Sequence, residues 1–222
     1  MNKSRLVIFC LTLFSVCMVP NLVLANTITA NLGNAASGLV GGNTYTGATI
    51  LAAQSGQPAP FNASCGSDTG ASGTTNCSTS WTFSFGSLAG YTINSATISF
   101  GIHDIDSGAA GNQVANFSLT GGENLTSGLN TLAEALNTNA GAKQNEYDVF
   151  TLSLTGASFA TLLSGNATFN LALQAPGQGA LGATPSNGGS LIFSTLTIDA
   201  TQGTPPPAVP ECSLVTRWQT PP

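Results

Sequence analysis

Charge is what this chain has least of. Only 6% of its 222 residues are Asp, Glu, Lys or Arg, and just four of those are Lys or Arg. Phosphate contact needs clustered Lys and Arg, so nucleic acid is excluded as a partner. Histidine is nearly absent too: with His103 alone, there is no His/Cys cluster of zinc spacing. Any Ser-His-Asp arrangement would have to use that one residue, and no Gly-x-Ser-x-Gly elbow accompanies it. No phosphate-binding glycine loop leads into a helix, and no apolar run after residue 26 approaches the ~18 residues that would cross a bilayer. Disorder is excluded from the other side, because 42% of the chain is hydrophobic.

What is present begins with an export signal. Lys3 and Arg5 form a basic start, Leu6 to Val19 an apolar stretch, and Val23-Leu24-Ala25 a small-residue cleavage site, which predicts a signal peptide over residues 1–25. Cys10 and Cys17 leave with it, and Phe9 and Val16 stand where a lipoprotein cysteine would need a small residue. Lys143 and Arg217 then remain against nine acidic residues, a net charge of −7. One domain over 26–200 with a sizeable core is expected, clothed in Gly, Ser, Thr and Asn.

Three cysteines survive cleavage: Cys65, Cys77 and Cys212. Export places them in an oxidising compartment, and Cys65 and Cys77 bracket a short polar loop, so a disulfide between them is expected, with Cys212 left over. Inside that loop, Asp68-Thr69-Gly70 spells an aspartic-protease motif, and Asp106-Ser107-Gly108 offers a second aspartate. Such a protease needs each aspartate at the end of an apolar strand. Ser64-Cys65-Gly66-Ser67 is no such strand, and the aspartates are too close in sequence for two lobes. The stretch reads as a disulfide-closed surface loop and His103 as an exposed strand-end residue.

From Trp81 onward apolar residues recur with period two, predicting strands at 81–85, 96–102, 114–119, 149–154, 167–173 and 190–199. Short strands are also expected near Asn26–Leu32 and Tyr45–Ala52. Helical spacing predicts a short helix over Leu129–Leu136 and one turn over Ala157–Leu163. Many short strands without strand–helix alternation argue an all-β, antiparallel two-sheet sandwich of jelly-roll type.

Side-chain parity locates the candidate site. The face of Ile98, Phe100 and Ile102 continues into Asp104 and Asp106, and that of Phe150, Leu152 and Leu154 runs back into Asp148 and Glu146. If the two strands lie antiparallel, four carboxylates gather at one rim, where desolvation and mutual repulsion would favour a hard cation. Calcium fits, with Asn112, Gln113 or backbone carbonyls completing the shell. The same acids could serve a secreted glycoside hydrolase, with Trp81, Tyr91 and Tyr147 as the nearest aromatic candidates. Five Asn-x-Ser/Thr sequons begin at Asn62, Asn76, Asn116, Asn124 and Asn166.

Residues 201–222 read as a Pro-rich linker and a tail. Within it, Val209-Pro210-Glu211 resembles the sorting motif of exported bacterial proteins of the PEP-CTERM class, as does the layout of signal peptide, Ser/Thr/Asn/Gly-rich β domain and linker. The resemblance implies sorting to a Gram-negative envelope, processing by a transpeptidase-like sorting enzyme, and association with extracellular polysaccharide. Cys212 replaces the second proline, and residues 213–222 supply neither an apolar helix nor an arginine cluster, as a frameshift or truncation after Glu211 would produce. The resulting expectation is a secreted or cell-surface, non-catalytic protein of structural or binding role. A calcium-dependent carbohydrate-binding module and a hydrolase are the alternatives.

Overall fold

Alternation of apolar and hydroxyl residues leaves each strand one face to bury, and two sheets packed face to face bury both sets at once. The computed structural model describes residues 25–66, 75–105, 111–140, 145–176 and 186–203. Its elements run β1 (Ala25–Gly33), β2 (Asn43–Thr44), α1 (Gly47–Gln54), β3 (Ser78–Ser84), β4 (Tyr91–His103) and β5 (Val114–Leu119). They continue with α2 (Thr126–Ala140), β6 (Glu146–Leu154), α3 (Gly156–Leu162), β7 (Asn166–Leu173) and β8 (Ser190–Gln202). One sheet has the order β1-β8-β4-β6-β2 and the other β3-β7-β5, with every pairing antiparallel. This is the jelly-roll order with α2 where the fourth strand of the smaller sheet would lie. Among the described residues no helix is long and apolar enough to cross a membrane.

α2 closes the edge of β5 by side-chain mimicry of a strand. Asn130 accepts the Val114 N–H through Oδ1 at 2.9 Å and donates Nδ2 to the Val114 carbonyl at 2.9 Å. Thr126 Oγ1 takes the Phe117 N–H at 2.8 Å. The expected short helix is thus longer than Leu129–Leu136, beginning at Thr126.

Between the sheets, Trp81 on β3 contacts Phe61, Phe100, Phe117 and Phe169 at centroid distances of 6.1–6.3 Å. Its buried indole N–H donates to Ser194 Oγ at 3.1 Å, and Ser194 donates in turn to the Ser99 carbonyl at 3.2 Å. A small hydroxyl on β8 therefore makes room for the indole and satisfies its one donor.

One predicted strand is a helix. Where a strand was expected over 45–52 the chain turns into α1 (Gly47–Gln54), because Thr46 caps it, accepting the Thr49 N–H at 3.3 Å, and Ile50 and Ala53 at helical spacing bury against the outer side of the larger sheet. A bulge receives them: the register between β4 and β8 shifts between Gly101 and Ile102, so Leu191 joins the main core while Ile192 joins this second cluster with Tyr147.

Cys65 and Cys77 form the expected disulfide. Both flank the lead into β8: the Cys65 N–H donates to the Gly189 carbonyl at 2.8 Å, and the Cys77 N–H to the Asn187 carbonyl at 2.7 Å. The Asp68-Thr69-Gly70 motif between them lies outside the described residues. Replacing both cysteines by alanine should cost about 3 kcal/mol in the loop-entropy model. Urea unfolding of the double variant checks this, and an unchanged midpoint would show the closed loop to be irrelevant to stability.

Candidate functional site

The acidic end is positioned by the β4–β6 ladder. Ile102 pairs with Asp148 and His103 with Tyr147, and the Asp104 N–H donates to the Glu146 carbonyl at 2.8 Å. Asp104, Glu146 and Asp148 therefore sit at the same end of the same strand pair, with Asp104 and Asp148 buried and Glu146 half-buried. Asp106 lies outside the described residues. The alternation that carries Ile102 inward does not simply continue through Asp104, which has a left-handed φ of 59°, as does Asn145 at 67°. Asp104 Oδ1 accepts the Asn145 N–H at 3.2 Å, so this carboxylate helps close the end of the ladder. Among the described residues no three His, Cys, Asp or Glu side chains converge as a metal-binding group.

Behind this end lies Asn187, 1% exposed, whose Nδ2 donates to the Ile105 carbonyl at 2.8 Å and the Gln174 carbonyl at 2.9 Å. It lies 3.2 Å from both the backbone and the side-chain oxygens of Gln113. Gln113, expected as a cation ligand, is thus gathered around an amide nitrogen that ties the two sheets together. Asn112 is exposed, and its carbonyl accepts from Gln174 Nε2 at 2.9 Å.

His103 is not the exposed strand-end residue that the sequence suggested but is completely buried. The segment from β2 to α1 folds over it, and His103 Nε2 lies 3.4 Å from the Tyr45 carbonyl. Tyr147 lies beside it, its ring passing over Gly101. A Cβ at Gly101 would overlap the Tyr147 hydroxyl and stand 2.6 Å from the Phe193 ring, so only glycine leaves room for the tyrosine. Of the three aromatics considered for a sugar cleft, Trp81 and Tyr147 are buried and Tyr91 is half-buried. A shallow hollow lined by Thr44, Tyr45, Thr46, Gly47 and Asn145 lies beside Tyr147.

The outer face of the larger sheet carries rows of hydroxyl side chains. The register aligns Thr29, Thr197, Thr97 and Ser153 in one row across β1, β8, β4 and β6. A second row runs Asn31, Thr195, Ser99, Thr151, and a third Thr27, Asp199, Ser95. Neighbours within a row are about 4.8 Å apart and successive rows about 6.8 Å apart. The two flanking rows are bonded internally: Thr195 Oγ1 donates to Asn31 Oδ1 at 2.7 Å, and Ser99 and Thr151 hydroxyls lie 2.7 Å apart. Asp199 accepts from Thr27 at 2.6 Å and from Ser95 at 3.0 Å. Those bonds, that of Thr27 first, hold its exposed carboxyl below the usual aspartate range. Among the described residues, no protein group hydrogen-bonds the four hydroxyls of the middle row. The signal for these rows was the outward half of the same alternation that gave the core, but their alignment depends on long-range register.

No family model matches the chain, and neither a curated protein nor a solved structure matches it.

Burial, reinforced by Tyr45 and Asp148 nearby, holds the Tyr147 phenol well above the ordinary tyrosine range. The unfolded phenol ionises near pH ~10 while the native one keeps its proton, so the stability it contributes is complete below that pH and is lost as pH rises further. Urea unfolding between pH 9 and 11.5 should show this decline, and Tyr147→Phe should flatten it. An equal slope in the variant would place the alkaline sensitivity elsewhere.

Proposed function

We propose that this is an exported, non-catalytic β-sandwich of the cell surface or extracellular polysaccharide matrix, and that it holds neutral polysaccharide on the outer face of its five-stranded sheet. The observation that carries this reading is the row Thr29–Thr197–Thr97–Ser153: four hydroxyls at regular spacing without partners among the described residues, between two rows whose groups are bonded to each other. A hydroxyl both donates and accepts, so such a row matches a polymer that presents hydroxyls along its length. The composition supports the same reading. One carboxylate, Asp199, is the only charge in the three rows, and its oxygens already accept two hydroxyl donors, so the face selects for a neutral partner.

Co-sedimentation with insoluble neutral polysaccharides tests this. Thr97→Val with Thr197→Val keeps side-chain shape and β propensity, and should lower affinity about tenfold if two hydrogen bonds of ~0.5–1.5 kcal/mol each are lost. Binding should also be insensitive to salt, because no ion pair contributes. The calcium-dependent alternative draws on Asp104 and Asp148, both buried at one end of β4 and β6. Chelator should leave binding unchanged on the face reading. Loss of binding on chelation, with the double valine variant still binding, would move the site to that acidic end.

A further inference from the structure

Among the described residues β1 has no strand beyond it in its sheet, as β3 has none beyond it in the other. The β5 edge is occupied by Asn130 and Thr126, and the start of β6 is paired with β2. Strand edges are usually blunted by charge, proline or a bulge. β1, "ANTITANLG", contains no charged residue or proline over nine residues and pairs with β8 without a register shift.

Its backbone direction follows from one bond. The Asn34 N–H donates to the Ile192 carbonyl at 2.8 Å. Continued along the antiparallel register, this makes Leu32, Ala30, Ile28 and Asn26 the residues bonded to β8. The N–H and C=O groups of Thr27, Thr29 and Asn31 point away from the sheet.

We propose that two copies of this chain join β1 to β1, antiparallel about Thr29, into one continuous sheet. In that register Thr29 faces its own copy and Thr27 faces Asn31, and each of these narrow pairs exchanges two backbone bonds. Ile28 then meets Ala30 in the wide pairs, where side chains approach most closely. This is the edge whose core-facing apolar row is incompletely covered. Ile28, Ala30 and Leu32 are only half-buried, whereas Trp81 and Phe83 on β3, and Phe150, Leu152 and Leu154 on β6, are already buried. The neutral edge imposes no repulsion between identical strands, and self-complementarity about a two-fold axis closes the assembly at a dimer. The middle hydroxyl row would continue across the junction through Thr29 of each copy.

Sedimentation equilibrium of the purified protein should show a dimer that dissociates on dilution. Thr29→Pro removes an N–H that faces away from β8, so it should yield a monomer with unchanged far-UV dichroism. If that variant fails to fold, Thr27→Lys with Asn31→Lys decides the matter, because the new charges face each other only across the dimer. Amide exchange gives an independent readout: Thr27, Thr29 and Asn31 should gain protection as concentration rises. A monomer at all concentrations, or a dimer that persists in a folded variant with these three amides unprotected, overturns the proposal.

Discussion

The packing of Trp81 against aromatic rings from both sheets is the contact on which the rest depends. Phe117 and Phe169 lie on its own sheet, Phe100 on the facing sheet, and Phe61 on the segment leading to the disulfide. Removing so large a side chain from a closed core costs roughly 3–5 kcal/mol, a large fraction of the stability of most domains. The indole also has a polar requirement, which Ser194 meets from β8. That bond helps to set which residue of β8 stands opposite Trp81.

Register is what turns a hydroxyl-rich composition into an ordered surface. Ile98 and Leu196 are buried and adjacent in the pairing of β4 with β8, so Thr97 and Thr197 must be adjacent on the other side. A slip of one residue would place threonines in the core and isoleucines in water. The outer rows are therefore held in place by the inner ones. Where the outward face is instead apolar, near Ile192, Phe193 and Tyr147, α1 and the β2 segment cover it, so apart from Val149 the exposed part of the face is polar.

Much of this was legible in the sequence. Alternation in "ATISFGI" and "VFTLSL" located β4 and β6, and their antiparallel pairing brought Asp104, Glu146 and Asp148 to one end. Three features were hidden for physical reasons. Residues 45–52 are rich enough in β-branched side chains to suggest a strand, but the Thr46 cap and the second cluster favour a helix. The burial of His103 depends on a segment nearly sixty residues earlier in the chain. Parity alone could not foresee the left-handed turn at Asp104, which redirects a residue that alternation would have carried inward.

The most direct test of the account is the register itself. In a nuclear Overhauser spectrum of the folded protein, cross-strand contacts should link Thr29 to Thr197, Thr197 to Thr97, and Thr97 to Ser153, drawing the middle row as one unbroken path. Contacts displaced by one residue at any of these three junctions would break the row, separate the hydroxyls from the packing that holds them, and contradict the account.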